Sequence, residues 1–323
     1  LVAATAATAA TAAPIVVVGA GLAGLTAARD LGAAGHTVVV VERDGGVGGR
    51  LSTEVMDGAR IDVGAQFFTV RSPSFAAMAS RWLGDDVAYE WCRGFDDPPD
   101  GYPRYAGRGG MVVLARALAD GIDVRCGQRV SAVSPVAAGW AVSLGGTLLS
   151  ASAVILTPPV PESRALLEAE VPELDVVAYE PTLAVGVVLE SRPAVPPPGA
   201  VQLTDGPFSF VADNQTKGIS PRPALTLHAT GEVSRRWWDA DDAVALDALL
   251  HQGRRWLGPD PRVVTARLIR WPYARPTSLY PAPCLVIDKT APLVFAGDAF
   301  GQARVEGAVL SGQAAAAALG ERG

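Results

Sequence analysis

Ile15-Val16-Val17-Val18-Gly19-Ala20-Gly21-Leu22-Ala23-Gly24 is the stretch on which the reading of this chain turns. A short β-branched run predicts a strand buried on both faces, as in a parallel sheet. The glycines that follow have separate tasks: Gly19 permits a tight turn, Gly21 lets backbone approach a pyrophosphate, and Gly24 lets a helix pack closely on the strand. Leu25 to Ala34 predicts that helix, with Gly35 as its stop. Leu22 and Ala23 fall at its N-terminal end, where unsatisfied N–H groups and the helix dipole favour phosphate. Thr37 to Val41 predicts a second buried strand, ending at Glu42, whose carboxylate can accept both hydroxyls of a ribose. Together these make the start of a dinucleotide-binding βαβ unit, one that does not by itself choose between NAD and FAD.

Outward from this unit, composition sets the limits. The chain has 323 residues, 49% of them hydrophobic and 19% charged, enough for two domains with a shared core. A net charge of -6 and the lack of a basic stripe argue against nucleic acid as a partner. Cys92, Cys126 and Cys284 lie far apart, outside any CxxC pattern, so neither a disulfide framework nor a zinc site is implied and a reducing cytoplasm fits. No metal is expected. Leu1 to Ala13 is rich in Ala and Thr, has no basic n-region, and reads as a disordered leader. No stretch approaches the roughly 20 apolar residues of a membrane span.

Further along, Asp44 to Gly49 is a glycine-rich loop, Arg71 to Trp82 and Met111 to Ala119 are helical, and residues 92–110 are irregular. Asp123 to Thr157 holds several short strands and closes on the buried run Val154-Ile155-Leu156, the pattern of a strand insertion returning to the parallel sheet. Residues 161–282 change character, with proline clusters, strand-like runs at Leu183 to Leu189 and Ala224 to His228, and an amphipathic helix over Asp241 to Trp256. Leu293 to Ala296 resumes a buried strand, and a final helix follows from Glu306 to Leu319. The expected fold is α/β: a discontinuous Rossmann-type cofactor-binding domain (14–70, 106–160 and 283–323) with a second, α+β substrate domain (71–105 and 161–282).

Two further motifs narrow the cofactor. Glu42-Arg43, then Gly48-Gly49-Arg50 and Thr53, fill every fixed position of the pattern E-R-x-x-x-x-G-G-R-x-x-[ST], which resembles FAD enzymes of the amine-oxidase and desaturase type. There the glycine pair passes the pyrophosphate and the Arg contacts phosphate or stabilises the loop. Gly297-Asp298, followed by Val305-Glu306-Gly307-Ala308, resembles the closing flavin segment of the same enzymes. In those, the Gly-Asp pair binds the ribityl-pyrophosphate and the next helix points its N-terminus at the flavin, where its dipole favours the anionic reduced form. Asp298 fits beside a phosphate only by accepting a hydroxyl; otherwise it caps the segment after it.

Asp62-Val63-Gly64-Ala65-Gln66-Phe67-Phe68-Thr69, Gly110-Met111, Leu227-His228-Ala229-Thr230, Tyr273-Ala274-Arg275-Pro276 and Arg304 to Gln313 carry the resemblance further. With them, nearly the whole chain beyond Pro14 resembles the bacterial renalase-like branch of the FAD-dependent amine oxidase superfamily. The resemblance implies a p-hydroxybenzoate-hydroxylase-like fold and FAD held non-covalently, with Arg43, Gly64, Ala65, Gln66 and Val130 added to the cofactor site. It also implies a reaction: hydride passes from 2- or 6-dihydro isomers of NAD(P) to flavin N5, giving NAD(P)+, with oxygen or a quinone reoxidising the flavin. That step needs no general base, since hydride loss restores aromaticity. Ala299-Phe300, after Gly297-Asp298, departs from the pattern and points to a different pocket.

The alternative reading is a flavin amine oxidase or desaturase acting on another small substrate; a non-catalytic flavin-binding protein is the third. Many relatives place a lysine near N5, and Lys289 is an equivalent only if the chain folds back. Expected substrate-pocket residues are Gln66, Phe67, His228, Trp271, Tyr273 and Arg275. Arg275 suits an anionic group or carboxamide, or else a salt bridge that holds the fold. His228, in an apolar strand, is open to reading as a satisfied core histidine.

Overall fold

The computed structural model describes residues 13–95, 98–287 and 291–320. Most of the expected leader therefore lies outside the described residues, as does Lys289. Strand Ile15–Val18 sits inside a six-stranded sheet, paired in parallel with Val38–Val41 on one side and Ala153–Leu156 on the other. Asp123–Arg125 extends the first side and Leu293–Phe295 the second, both parallel, and Leu285–Val286 closes the edge antiparallel. Every residue of Ile15–Val18 and Ala153–Leu156 is buried. That explains why these strands read as unbroken apolar runs: both faces of the sheet are covered.

One face carries helices Leu22–Ala33, Val112–Ala119 and Val305–Gly320, whose apolar sides meet in a single core with Leu25, Leu31, Leu114 and Val309. The first and last of these approach closely at Gly312, where a Cβ would lie 2.3 Å from the Ala23 carbonyl oxygen. Glycine is the residue that permits this contact. The other face is covered by the antiparallel strands Val130–Val136, Gly139–Leu144 and Thr147–Ala151, inserted ahead of Ala153–Leu156 as the sequence predicts.

The second domain is built on a five-stranded antiparallel sheet in the order Ala200–Gln202, Phe208–Asp213, Ala224–Ala229, Ala178–Leu189, Val263–Ser278. Helices Gly231–Arg236, Asp242–Gln252 and Arg254–Leu257 cover one face. The single helix expected over Asp241 to Trp256 is thus two. The break falls at Gly253, where a Cβ would come within 2.7 Å of Leu227 Cδ1. Val263–Ser278 does not read as a strand in the sequence because it contains Pro272 and Pro276; it is an edge strand, where proline is tolerated.

Packing also redraws the domain boundaries. Helix Pro73–Gly84, expected in the substrate domain, buries Phe75, Met78, Ala79 and Trp82 in the cofactor-domain core. The hairpin Thr53–Met56/Ala59–Asp62, expected in the cofactor domain, packs Met56, Ala59 and Ile61 against Val188 and Ala224 of the second sheet.

Candidate cofactor and substrate cleft

Between the domains lies a cleft of about 1700 Å³, walled by residues of both. At one side stands the glycine turn. Helix Leu22–Ala33 begins at Gly21 with no side-chain cap and no acidic residue in its first turn, so its first N–H groups are free to meet an anion. A Cβ on Gly21 would meet nothing within 4 Å, whereas one on Gly24 would lie 2.0 Å from the Gly19 carbonyl oxygen. The glycines differ in their surroundings: Gly21, with Leu22 and Ala23, lines the cleft, and Gly24 packs against the turn at Gly19. Thr157, which no motif in the sequence marks, braces the turn by donating its hydroxyl to the Val18 carbonyl at 2.8 Å.

Glu42 is buried and accepts the N–H of Ala20 at 2.7 Å and of Asp44 at 2.9 Å. Its first task is thus to hold the turn in shape. Arg43 instead forms an ion pair with Glu162 at 2.9 Å, and Val130 packs in the core beneath the inserted strands; neither is on the cleft wall. Gly49 and Gly307 shape the backbone next to the wall; a Cβ on Gly307 would lie 1.9 Å from the Gln302 carbonyl oxygen.

Arg50 and Asp298 both reach the cleft, but they bind each other. The guanidinium donates to both carboxylate oxygens, at 2.6 and 2.8 Å, and to the carbonyl of Tyr273 at 3.1 Å. Burial opposes the charge on Arg50, yet the Asp298 carboxylate holds its pKa above the usual arginine value. The pairing gives Arg50 a loop-stabilising part, and the side chain still lines the cleft. Gly297, Val305 and Ala308 line the cleft nearby. Glu306 borders it too, but its carboxylate accepts the N–H groups of Arg71 and Ser72, the latter at 2.6 Å.

Gly64, Ala65, Gln66, Phe67, His228, Trp271 and Arg275 also line the cleft. The Val63 carbonyl accepts Trp271 Nε1–H at 2.9 Å and lies 3.2 Å from His228 Nε2. A carbonyl only accepts, so Nε2 carries the proton and Nδ1 is the acceptor nitrogen. Burial, with Lys217 nearby, lowers the His228 pKa to about 4, so the ring is neutral. Phe67 packs on Phe95 and Phe210, with centroids 5.1 and 5.9 Å away, and Phe95 meets Trp91. Arg275 sits at the rim, paired with Glu180 at 2.6 Å. Tyr273 is not on the wall. Pairing jumps from Thr182–Trp271 to Glu180–Arg275, so residues 272–274 bulge out and the Tyr273 ring meets Tyr179 edge-on instead. Phe210 lines the cleft without being expected there, and the buried pair Lys217–Asp62 sits behind Gln66; the scarcity of lysine in an arginine-rich chain is the available signal for the pair.

Among the described residues no group of His, Cys, Asp and Glu is arranged to hold a metal ion, and no helix is long and apolar enough to cross a membrane.

Fold and cleft are those of a two-domain protein built on a dinucleotide-type βαβ unit, and the comparisons supply the family. A Rossmann-like NAD(P)-binding profile matches residues 17–82, and the flavin-containing amine oxidoreductase profile matches residues 92–320. The chain belongs to the flavin-containing amine oxidoreductase family. Putrescine oxidase of Kocuria rosea is 53% identical over 64 residues, which span 20% of this chain and 13% of that protein. Among solved structures, a protein assigned as a protoporphyrinogen oxidase from Exiguobacterium sp. 255-15 superposes with a TM-score of 0.76, at 13% identity, over 98% of this chain and 100% of that one. Cyclohexylamine oxidase from Brevibacterium oxydans IH-35A does so with a TM-score of 0.70, at 17% identity, over 96% and 99%. At these identities the likeness is one of fold. The cofactor is FAD, and the residues present fit it: an uncapped helix end, a glycine with room for a phosphate, and a second helix end at Val305.

Proposed function

We propose that this chain is an FAD-dependent oxidase that takes hydride from a carbon bonded to nitrogen in a small neutral amine. Gly21, Leu22, Ala23, Gly64, Ala65, Gln66, Gly297, Val305 and Ala308 would hold the cofactor. When bound, FAD supplies the acceptor for the two electrons of the hydride, and oxygen or a quinone takes them away.

One observation carries the reading. His228 is a neutral ring whose Nε2–H is committed to Val63, so its Nδ1 is left to accept from a substrate. An amine brings the N–H donor this nitrogen needs. A hydrocarbon, the substrate of a desaturase, brings none and leaves it unpaired at a cost of about 1–3 kcal/mol. Phe67, Phe210 and Trp271 supply apolar surface on which an amine sheds water and binds uncharged. His228 is too weak a base to take a proton near neutrality. Its part is to orient the nitrogen so that the neighbouring C–H faces the acceptor.

A second reading is favoured by the exposed arginines around the mouth. Arg71, Arg235, Arg275 and Arg304 all border the cleft, and guanidinium groups suit the phosphates of a dinucleotide. The substrate is then a dihydro isomer of NAD(P), with its carboxamide N–H meeting His228 Nδ1. Anaerobic rapid mixing of the yellow protein with primary amines, polyamines, dihydro-NAD(P) isomers, NADH and NADPH decides between them. Bleaching of the flavin by an amine is the expected result. Bleaching by the isomers alone transfers the case to the second reading, and bleaching by neither sinks both.

A further inference from the structure

Lys217 and Asp62 form an ion pair at 2.7 Å with both side chains fully sealed from solvent. Lys217 is not among the residues that line the cleft; its side chain is sealed behind Gln66. Its ammonium also lies 3.4 Å from Gln66 Oε1 and 4.9 Å from the Trp91 ring centroid. The remaining Asp62 oxygen accepts Thr53 Oγ1–H at 2.6 Å and Met111 N–H at 2.8 Å. The loop that delivers Lys217 is itself tightly tied. Asp213 accepts the N–H groups of Gln215 and Thr216, and Asn214 Oδ1 accepts the Asp62 N–H.

Burying two charges is expensive, and apolar pairs of similar volume are often as stable or more so. What an apolar pair cannot do is orient an amide. Gln66 has its Oε1 toward the Lys217 ammonium, while its Nε2 donates to the carbonyls of Asp62, at 2.5 Å, and Gly64, at 3.0 Å. With a cation on one side and carbonyls on the other, the amide has a single orientation. The ribbon from Asp62 to Gln66 is thereby held at both ends. Between those ends lies Val63, whose carbonyl sets the His228 tautomer and the Trp271 ring.

We propose that Lys217, through Asp62 and Gln66, is a positioning residue that fixes the ribbon 62–66 and with it the hydrogen-bonding face the cleft presents at His228. The role of His228 toward substrate rests on the amine reading above; the network itself does not. Burial pulls the Lys217 ammonium below the ordinary lysine range, against the pull of Asp62, which fits a charge kept for its geometry rather than for stability.

The test uses the FAD-loaded protein and the variants K217M, D62N/K217M and D62N/K217Q. K217M strands a buried carboxylate and is expected to unfold more easily. The double variants remove both charges, and the amide that D62N leaves at position 62 can still accept from Thr53 and Met111, so the unfolding midpoint is expected to recover. The site is not. The bound-flavin absorption bands should stay shifted, and 15N NMR of the imidazole should change from a single Nε2–H tautomer to a mixture. Flavin reduction by the best substrate should stay slower by about tenfold to a hundredfold. The spectrum and the tautomer need no substrate, so they report on this proposal even if no amine reduces the wild type. Double variants that regain stability together with the wild-type spectrum and tautomer overturn it. So does a pair of double variants that both fail to fold, since the ion pair would then be holding the fold.

Discussion

Arg50 spans three separate segments of the chain by gripping Asp298 with two nitrogens. It leaves the glycine loop, meets both carboxylate oxygens beside the last helix, and donates to the Tyr273 and Ala274 carbonyls at 3.1 and 3.3 Å in the substrate-domain bulge. One guanidinium therefore joins three segments beside the cleft, in the bidentate geometry arginine supplies and lysine does not.

Arg50→Ala leaves Asp298 largely buried without its partner. The expected cost is about 2–4 kcal/mol of stability in the apoprotein, with weakened FAD retention besides. Arg50→Lys keeps charge but not the fork and should fall between. Thermal unfolding of both apoproteins checks this. An Arg50→Ala apoprotein within about 0.5 kcal/mol of wild type would show that the pair does not join the segments.

Gly21 and Gly24 should part company on mutation. Gly21 has a φ of -79° that alanine adopts easily, and its Cβ would enter open space; Gly24 has the Gly19 carbonyl 2.0 Å from that position. Gly21→Ala is expected to keep the unfolding midpoint of the apoprotein and to weaken FAD binding by about a hundredfold, since the methyl stands where the phosphates pass. Gly24→Ala is expected to destabilise the apoprotein itself. Equal stability losses in the two variants would contradict the division of tasks.

The parallel sheet is legible in the sequence because its signals are local: unbroken β-branched runs, a glycine turn, an acid at the end of Val38–Val41. The hairpin Thr53–Asp62 is legible in principle, for Asp57-Gly58 both take positive φ as a two-residue hairpin turn demands. Its signal is masked by the neighbouring Gly48-Gly49-Arg50, whose glycines make the stretch read as loop. Cleft residues read from motifs, such as Gln66, Phe67, His228 and Trp271, do meet. What pairs with what is not legible. Arg50–Asp298 and Lys217–Asp62 join residues far apart in sequence, and no periodicity encodes such partners. Tyr273 misleads because it is read from the motif Tyr273-Ala274-Arg275-Pro276 alone, and the extra residues opposite Pro181, which no local signal marks, turn it away from the cleft.

Acid should weaken the fold through His228. Its pKa is lowered to about 4 from an ordinary 6.5 in the unfolded chain. Between these values the unfolded state binds the proton and the folded state does not, so stability falls as pH drops from about 6.5 towards 4. The full shift corresponds to about 3 kcal/mol; water in the cleft screens part of it, leaving about 1–2 kcal/mol. Denaturant unfolding of the apoprotein at pH 7 and pH 5 should show a smaller loss for His228→Asn than for wild type. Equal losses would mean that the ring accepts its proton at an ordinary pH.

Glu306 offers the sharpest contrast between a cofactor contact and a structural one. It lies in the first turn of the helix that faces the cleft, the position from which a side chain could reach FAD. Yet its buried carboxylate is spent on the Arg71 and Ser72 N–H groups, at the entrance to helix Pro73–Gly84. Glu306→Gln replaces one acceptor oxygen by a donor that faces N–H groups. It should cost the apoprotein about 1–3 kcal/mol and speed amide exchange in the first turn of Pro73–Gly84, with little further change in FAD affinity. If Glu306 served FAD instead, the apoprotein would be untouched and only the affinity would move. Unfolding of the apoprotein and FAD titration, run on the same variant, separate the two.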